Sequence, residues 1–552
     1  MRLDRFSWAP FVSNPESPAE DHPLRIMSYA DDIFAVCPSL EAAKDTTRAI
    51  EKAAAGAGFA VSAAKTKVSY WPLDGIMPDK GRLEEGFHIG EGKITPLVNL
   101  PIKILGITLD PPKAGVAAIP STAATHRSKK QGHAFGKLGA ARKVWGTLAF
   151  PNSMERALFH CAPRSPLCFG RILSGATLWQ EEFTIFWDSC LAITGVRKSS
   201  HVDALATMLE AGIIPPGLQT LLELADWYEA ARNMDDRSPW HQAFVAEVLF
   251  TSSTPSGERT RPLMGRRVFA KALLYVSACS PWASYVAACL SLGLGDDLSL
   301  SNPVRPAYLP RPRPDPPATL PTVRSLCTKA FASRWSRGDF TRDITDPSRG
   351  LPSSNRYHKV SPSLPDASSW PRSEPSARVR HAIFALRLGA LQLEEHNQRH
   401  GSGLHIISCG EDGCGDAPLT HIHLVCVCEA TKVARAKLRR TLLRACESDR
   451  ATESTPPGAI LQAKTRIEQG ISEDGCLRTP PPSAGAWEPE DLRMAWFLWF
   501  VGAPISCEED ANLVPLNLSG GSGLAKAFLK CLGHFALSVV STAKRGSGFH
   551  SR

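Results

Sequence analysis

The stretch Arg25-Ile26-Met27-Ser28-Tyr29-Ala30-Asp31-Asp32-Ile33-Phe34-Ala35-Val36-Cys37 limits the possible folds more than any other. Two apolar runs of strand length flank an Ala-Asp-Asp turn. Short apolar runs bounded by turn residues read as strands, and aspartate suits the turn because its side chain bonds the local backbone. The pattern predicts a β-hairpin with Asp31 and Asp32 at its tip. Adjacent carboxylates in a turn are commonly just solvated. Held on a rigid hairpin, they also offer hard oxygen ligands to divalent cations.

The segments after the hairpin add to that reading. Ser39 is placed to cap a helix running to Gly56 or Gly58, with Glu41 in its first turn and Leu40, Ala43, Thr47, Ile50 and Ala54 on one face. Next come Gly58, a short apolar strand from Phe59, and Lys65-Thr66. Then Ile102-Lys103-Ile104-Leu105-Gly106-Ile107-Thr108-Leu109 reads as a further strand, in which Gly106 leaves room for another backbone to approach. Taken singly, Lys65 is an ordinary solvated lysine and Gly106 an ordinary bulge.

In this order, Tyr29-Ala30-Asp31-Asp32, the glycine-strand-Lys65-Thr66 segment and the Lys103-Ile104-Leu105-Gly106 element resemble the palm of reverse transcriptases from non-LTR (LINE-type) retrotransposons. The resemblance implies that Asp31 and Asp32 are catalytic, with Mg²⁺ on Asp31, and that Lys65 lies near the triphosphate. It implies that Lys103 and Gly106 belong to a hairpin gripping the primer backbone. It also implies a helical thumb from about residue 121, where Lys129 and Lys130 would meet phosphates, with Lys137, Arg142 and Lys143 in the same basic stretch. The partners implied are an RNA template, a DNA primer or target, and dNTP in a complete enzyme. A whole palm carries a further metal-binding aspartate and a glycine-rich template segment ahead of the hairpin. Residues 1–24 hold neither, so the expectation is an N-terminally truncated polymerase that extends no primer as this isolated chain.

The bulk composition is compatible with this. Lys and Arg total 63 against 54 Asp and Glu, a net charge of +9, which permits nucleic-acid binding without requiring it. No charged-then-apolar leader follows Met1, so an intracellular, unsecreted protein with reduced thiols is expected, nuclear or cytoplasmic. The apolar window 494–503 is too short to span a bilayer, so no membrane partner is expected.

Four of the 15 cysteines fall between Cys409 and Cys428. Cys409-x4-Cys414 precedes Thr420-His421-Ile422-His423 and Cys426-Val427-Cys428. Three thiolates and one imidazole suit a closed tetrahedral zinc site. The favoured set is Cys409, Cys414, His423 and Cys428, with His421 and Cys426 as the alternative pair. The cluster follows an arginine-rich helix over 378–399 and precedes a helix bearing Lys432, Arg435, Lys437, Arg439, Arg440 and Arg444. This arrangement is similar to the cysteine-histidine region downstream of the polymerase in LINE-type proteins, trailing arginine included. Arg435, Arg439 and Arg440 are the nucleic-acid contacts expected there.

The expected fold class is α+β, with part of a polymerase palm followed by mostly helical regions. The divisions are an irregular lead-in over 1–24, the partial palm over 25–120 and a helical thumb and connection over 121–300. In that last region Trp240, Phe244, Val248 and Phe250 are expected in the core. Pro-rich linkers enclosing one short helix occupy 301–376, eight prolines lying between Pro303 and Pro321. A helix, a CCHC zinc knuckle and a basic helix occupy 377–450, then a tail over 451–552 with two short helices.

Overall fold

The structure is a computed structural model. It describes residues 25–29, 32–37, 39–71, 79–104, 107–111, 124–147, 152–169, 180–198, 202–232, 260–262, 275–277, 294, 323–336, 376–391, 393, 409, 411–415, 417–448, 455–478, 489–502, 515–516, 518 and 522–546. These residues are mostly helical, with small sheets, and they divide into two compact units.

The first unit takes in residues 1–134, 166–179 and 217–330. Strands β1 (Arg25–Tyr29) and β2 (Asp32–Val36) form the expected antiparallel hairpin, Tyr29 opposite Asp32. Among the described residues neither strand pairs with a third, and Ile33 and Val36 are exposed. Helix α1 (Leu40–Gly56) starts where Ser39 Oγ accepts the Ala42 N–H at 3.1 Å. Beyond it the expectation is corrected. The expected strand at Phe59 does not form, and Phe59 is 73% exposed. Only β3 (Ser69–Tyr70) is extended and paired.

The chain continues through α2 (Lys80–Glu85), β4 (Phe87–Ile89), β5 (Gly92–Ile94) and β6 (Leu97–Val98). Strand β3 runs parallel to β6. Phe87, Ile89 and Ile94 form a small core under Leu40, Ala43, Val61, Ala63 and Val68. A Cβ on Gly92 would meet the Ala63 methyl at 2.3 Å, so the close approach of the β4–β5 hairpin to that segment requires glycine.

The stretch over 102–110, a strand by its own residues and part of a hairpin by the resemblance, is a hairpin of β7 (Ile102–Ile104) and β8 (Ile107–Leu109). It is tied to the start of α3 (Ala124–Thr147). Thr108 N–H donates to His126 Nδ1 at 3.3 Å, and Thr125 N–H donates to the Asp110 carboxylate at 2.9 Å. Helix α3 is the first of a helical series: α4 (Asn152–Phe159), continued by a π-helical turn at His160–Arg164, α5 (Ser165–Cys168), α6 (Gln180–Thr194), α7 (Ala204–Ala211) and α8 (Pro216–Arg232). The expected helical stretch over 236–300 is corrected where it is described. Strands β9 (Thr260–Pro262) and β10 (Tyr275–Ser277) pair there. Trp240, Phe244, Val248 and Phe250 lie outside the described residues. The short helix expected between the linkers is α9 (Val323–Ser336).

The second unit takes in residues 135–165, 180–216 and 331–552. Helix α10 (Ala377–Arg387) is capped by Ser376 and stops before Gly389, whose φ of 61° favours glycine. It buries Arg380 and Arg387. Arg380 pairs with Glu155 of α4 at 3.1 Å, and Arg387 with Glu210 of α7 at 2.7 Å. After the cysteine region come α11 (Lys432–Cys446), α12 (Pro457–Gly470), α13 (Pro489–Phe500) and α14 (Gly523–Gly546). Among its described residues the tail therefore holds three helices, one of them 24 residues long, where two short ones were expected. Trp496, Trp499 and Phe500 pack against one another and on Phe528 and Phe535, making this the aromatic core of the unit. Within α14, Gly523–Ala543 is long and apolar enough to cross a membrane, which the window at 494–503 did not reveal. More than half of it is buried inside the protein, as for a core helix, and α14 packs on α10 and α11.

Candidate metal centre

Two short backbone devices bring four ligand groups together. The first is the turn over 411–415, where Cys414 N–H bonds Glu411 O at 3.0 Å and Gly413 takes a φ of 93°. Cys409 is fixed beside it by its N–H bond to Ala417 O at 3.0 Å. The second is a π-helical turn, His423–Val427, opened by Thr420, whose Oγ1 accepts the His423 N–H at 3.0 Å. The wide turn ends as Cys428 N–H returns to His423 O at 2.8 Å. One ligand atom from each of Cys409, Cys414, His423 and Cys428 lies within 4.8 Å of all the others. The Cys409 and Cys428 sulfurs are 3.3 Å apart.

The surroundings favour a bound cation. Main-chain N–H groups of Glu411, Glu429 and Ala430 point at the sulfurs of Cys409, Cys414 and Cys428 respectively. Such donors stabilise thiolate over thiol. Burial works the other way: it pushes Cys409 up to about 12, assisted by the neighbouring Cys428 thiol, and it also raises Cys428. A coordinated cation resolves the conflict, because a thiol that ligates a metal gives up its proton. His423 is already suited to its role. Burial, with Arg435 and Arg493 adding to it, lowers its pKa and keeps the ring neutral. Its Nε2 is buried and makes no hydrogen bond. A buried polar atom without a partner is costly, and a metal would satisfy it. Four protein ligands leave no open coordination position, so such a centre holds structure and does no chemistry on a substrate.

The alternative pair is placed elsewhere. His421 is fully buried and its Nε2 accepts the Leu391 N–H at 3.3 Å. Cys426 is buried with its thiol toward Arg493 O at 3.5 Å.

Comparison with family models, with curated proteins and with solved structures finds no match.

Asp31 and Gly106 lie outside the described residues, and Asp32 opens β2. Lys65 is exposed in a turn, and Lys103 is exposed on β7. Lys129 is exposed on α3, whereas the Lys130 ammonium sits 4.6 Å from the centre of the Phe169 ring. Arg142 is paired with Asp188 at 2.9 Å.

On α11 the expectation needs a correction. Arg435 is 1% exposed and is not at a surface. It donates to Gly475 O at 2.7 Å, Val425 O at 3.3 Å, Val427 O at 3.3 Å, Cys428 O at 3.0 Å and Thr431 Oγ1 at 2.7 Å. A guanidinium has five N–H donors, so none remains for a phosphate. Arg439 is half-buried. The exposed cations are Lys437, Arg440 and Arg444, and no carboxylate among the described residues pairs with them. The sequence carried the signal that separates the two sets. Arg435, Leu438, Leu442 and Cys446 recur at three- and four-residue spacing and are the buried face of the helix.

Proposed function

We propose that the chain derives from the reverse transcriptase of a LINE-type element and that its Cys3His cluster is a structural zinc centre. The observation that carries the reading is the cluster itself. Cys409, Cys414, His423 and Cys428 meet within 4.8 Å in the register of those proteins, downstream of a hairpin bearing Asp31-Asp32. The donor set is borderline-soft and tetrahedral in number, which favours zinc over Mg²⁺ or Ca²⁺. Further support comes from chain order: a second hairpin, β7–β8, and then a helical series follow the β1–β2 hairpin.

In this reading the chain belongs to the RNA-directed DNA polymerases. Asp31 and Asp32 take part in holding Mg²⁺ in a completed palm, and Lys65, Lys103 and Gly106 face the triphosphate and the primer. Among the described residues the one grouping of three or more metal-type ligands is the Cys3His cluster. Two-ion phosphoryl chemistry needs carboxylates from more than one strand. The chain is expected to bind an RNA–DNA primer–template through its basic helices, and primer extension decides whether it is catalytic by itself.

A second reading, a nucleic-acid-binding protein with no catalytic role, is favoured by the exposed Lys437, Arg440 and Arg444, which pair with no carboxylate among the described residues. One preparation tests both. Elemental analysis of the purified chain is expected to give one zinc per chain, and a chain without zinc overturns the centre. Primer extension with Mg²⁺, a DNA primer and an RNA template separates the functions. Extension that disappears in Asp31→Ala makes the chain itself a polymerase. Binding that persists in Asp31→Ala without extension leaves the binding role.

A further inference from the structure

No carboxylate among the described residues hydrogen-bonds to Arg435 or closes an ion pair with it, and Glu429 acts on its charge only from a distance. The side chain is 1% exposed, and its five hydrogen bonds go to four main-chain carbonyls and one hydroxyl. Glu429 and Asp474, the neighbour of Gly475, close on Lys432 at 3.3 and 3.2 Å, and both stay in contact with water. A buried cation with no counter-charge is among the costliest arrangements in a protein. Three of the carbonyls it holds belong to Val425, Val427 and Cys428, in the segment that presents His423 and Cys428 to the cluster.

Next to it lies the Cys3His cluster, whose Cys428 contributes a carbonyl to Arg435. A divalent cation held by three thiolates and a neutral imidazole leaves one net negative charge. We infer that Arg435 is the buried counter-cation of the Cys3His metal centre, so that metal loading and burial of the Arg435 guanidinium stabilise each other. The inference rests on the metal reading proposed above and extends it to a residue that is not itself a ligand. Residues behind a ligand set commonly change metal affinity by about 10- to 100-fold when replaced.

The geometry adds a mechanical consequence. The fifth partner of Arg435 is Gly475 O, in a tight turn closed by the Ile471–Leu477 bridge. Arg435 thus joins the metal-bearing segment to a turn 40 residues further along the chain. Loss of metal is expected to loosen the turn over 471–478 as well as residues 409–428.

The test compares the full chain with Arg435→Lys and Arg435→Gln. Lysine keeps the charge and gives up the planar fork, and glutamine keeps hydrogen bonding and gives up the charge. Zn²⁺ affinity is measured by chelator competition, and Co²⁺ is used as a spectroscopic probe of thiolate coordination. Arg435→Gln is expected to bind Zn²⁺ about 10- to 100-fold more weakly, and Arg435→Lys is expected to lie between it and the parent. An Arg435→Lys chain that loses metal as completely as Arg435→Gln assigns the residue to hydrogen bonding alone and overturns the inference. Unchanged affinity in both variants overturns it too. A parent chain that takes up neither Zn²⁺ nor Co²⁺ refutes the metal reading itself.

Discussion

Arg387 Nε lies 2.7 Å from the Glu210 carboxylate, 177 residues away in sequence, with both side chains almost fully buried. The same guanidinium donates to Val501 O at 2.9 Å, so one side chain ties α10 to α7 and to the end of α13. Removing either charge takes away the other's ion-pair partner in the interior. Arg387→Met is expected to destabilise the protein by about 3–5 kcal/mol, and the double change with Glu210→Leu by less than either single change. Urea unfolding of the three variants checks this. A double variant as unstable as the sum of the singles would mean that the pair is not coupled.

Acid should weaken the same unit through two histidines. Burial lowers His160 and His381 from 6.5 to about 4, with Arg164 and Arg156 adding to the effect at His160 and Arg380 at His381. The folded chain therefore refuses protons that the unfolded chain accepts between pH 6.5 and about 4. This stability is complete above pH 6.5 and is lost as the pH falls through that window. Each histidine contributes a slope of about 1.4 kcal/mol per pH unit at most. His381→Gln should flatten the pH dependence of the melting temperature over that range. A slope that stays the same would show that His381 titrates alike in both states.

The assignment of ligands is open to direct test. Cys428→Ser or His423→Ala should abolish stoichiometric metal, because each removes one of the four converging donors. Cys426→Ala should keep it, since that thiol faces Arg493 O. Elemental analysis of the three variants decides between the two sets, and loss of metal from Cys426→Ala would reverse the choice.

How far the sequence revealed these features differs from element to element, for physical reasons. The β1–β2 hairpin, the Ser39 cap and the ligand set were legible because each is a local pattern with a fixed spacing. The strand expected at Phe59 failed because a short apolar run becomes a strand only when a neighbour pairs with it, and among the described residues none does. Charge spacing along α11 does not separate Arg435 from its exposed neighbours, although Leu438 and Leu442 mark its face as buried. Nothing local marks Arg387 or Gly475, whose roles depend on partners brought in from distant parts of the chain.

Gly475 shows what such a distant contact demands. Its φ is 93°, and a Cβ there would sit 2.2 Å from Lys432 O and 2.7 Å from Ala436 N. Both are backbone atoms of α11, so neither can swing aside. Gly475→Ala should cost about 2–4 kcal/mol and weaken metal retention with it. Gly458→Ala is the control, since a Cβ at that helical position meets nothing within 4 Å. It should be neutral or stabilising by up to about 1 kcal/mol. Melting curves of the two variants give the comparison, and equal effects would remove the steric argument.

Exposure decides which cations of α11 are free to meet nucleic acid. Lys437, Arg440 and Arg444 share the exposed face and span roughly 10 Å of helix. Each phosphate that they neutralise releases condensed counterions, which adds about 0.7–0.9 to the slope of log affinity against log salt. Replacing all three by alanine should therefore reduce that slope by about 2–3 and weaken binding alike across sequences. Lys464, already paired with Glu447 at 3.1 Å, serves as the control, and its replacement should leave the slope unchanged. Binding of an RNA–DNA primer–template titrated over a range of salt concentrations gives the answer. If the triple variant keeps the parent slope, α11 is an ordinary solvated helix, and the basic surface of the protein lies elsewhere.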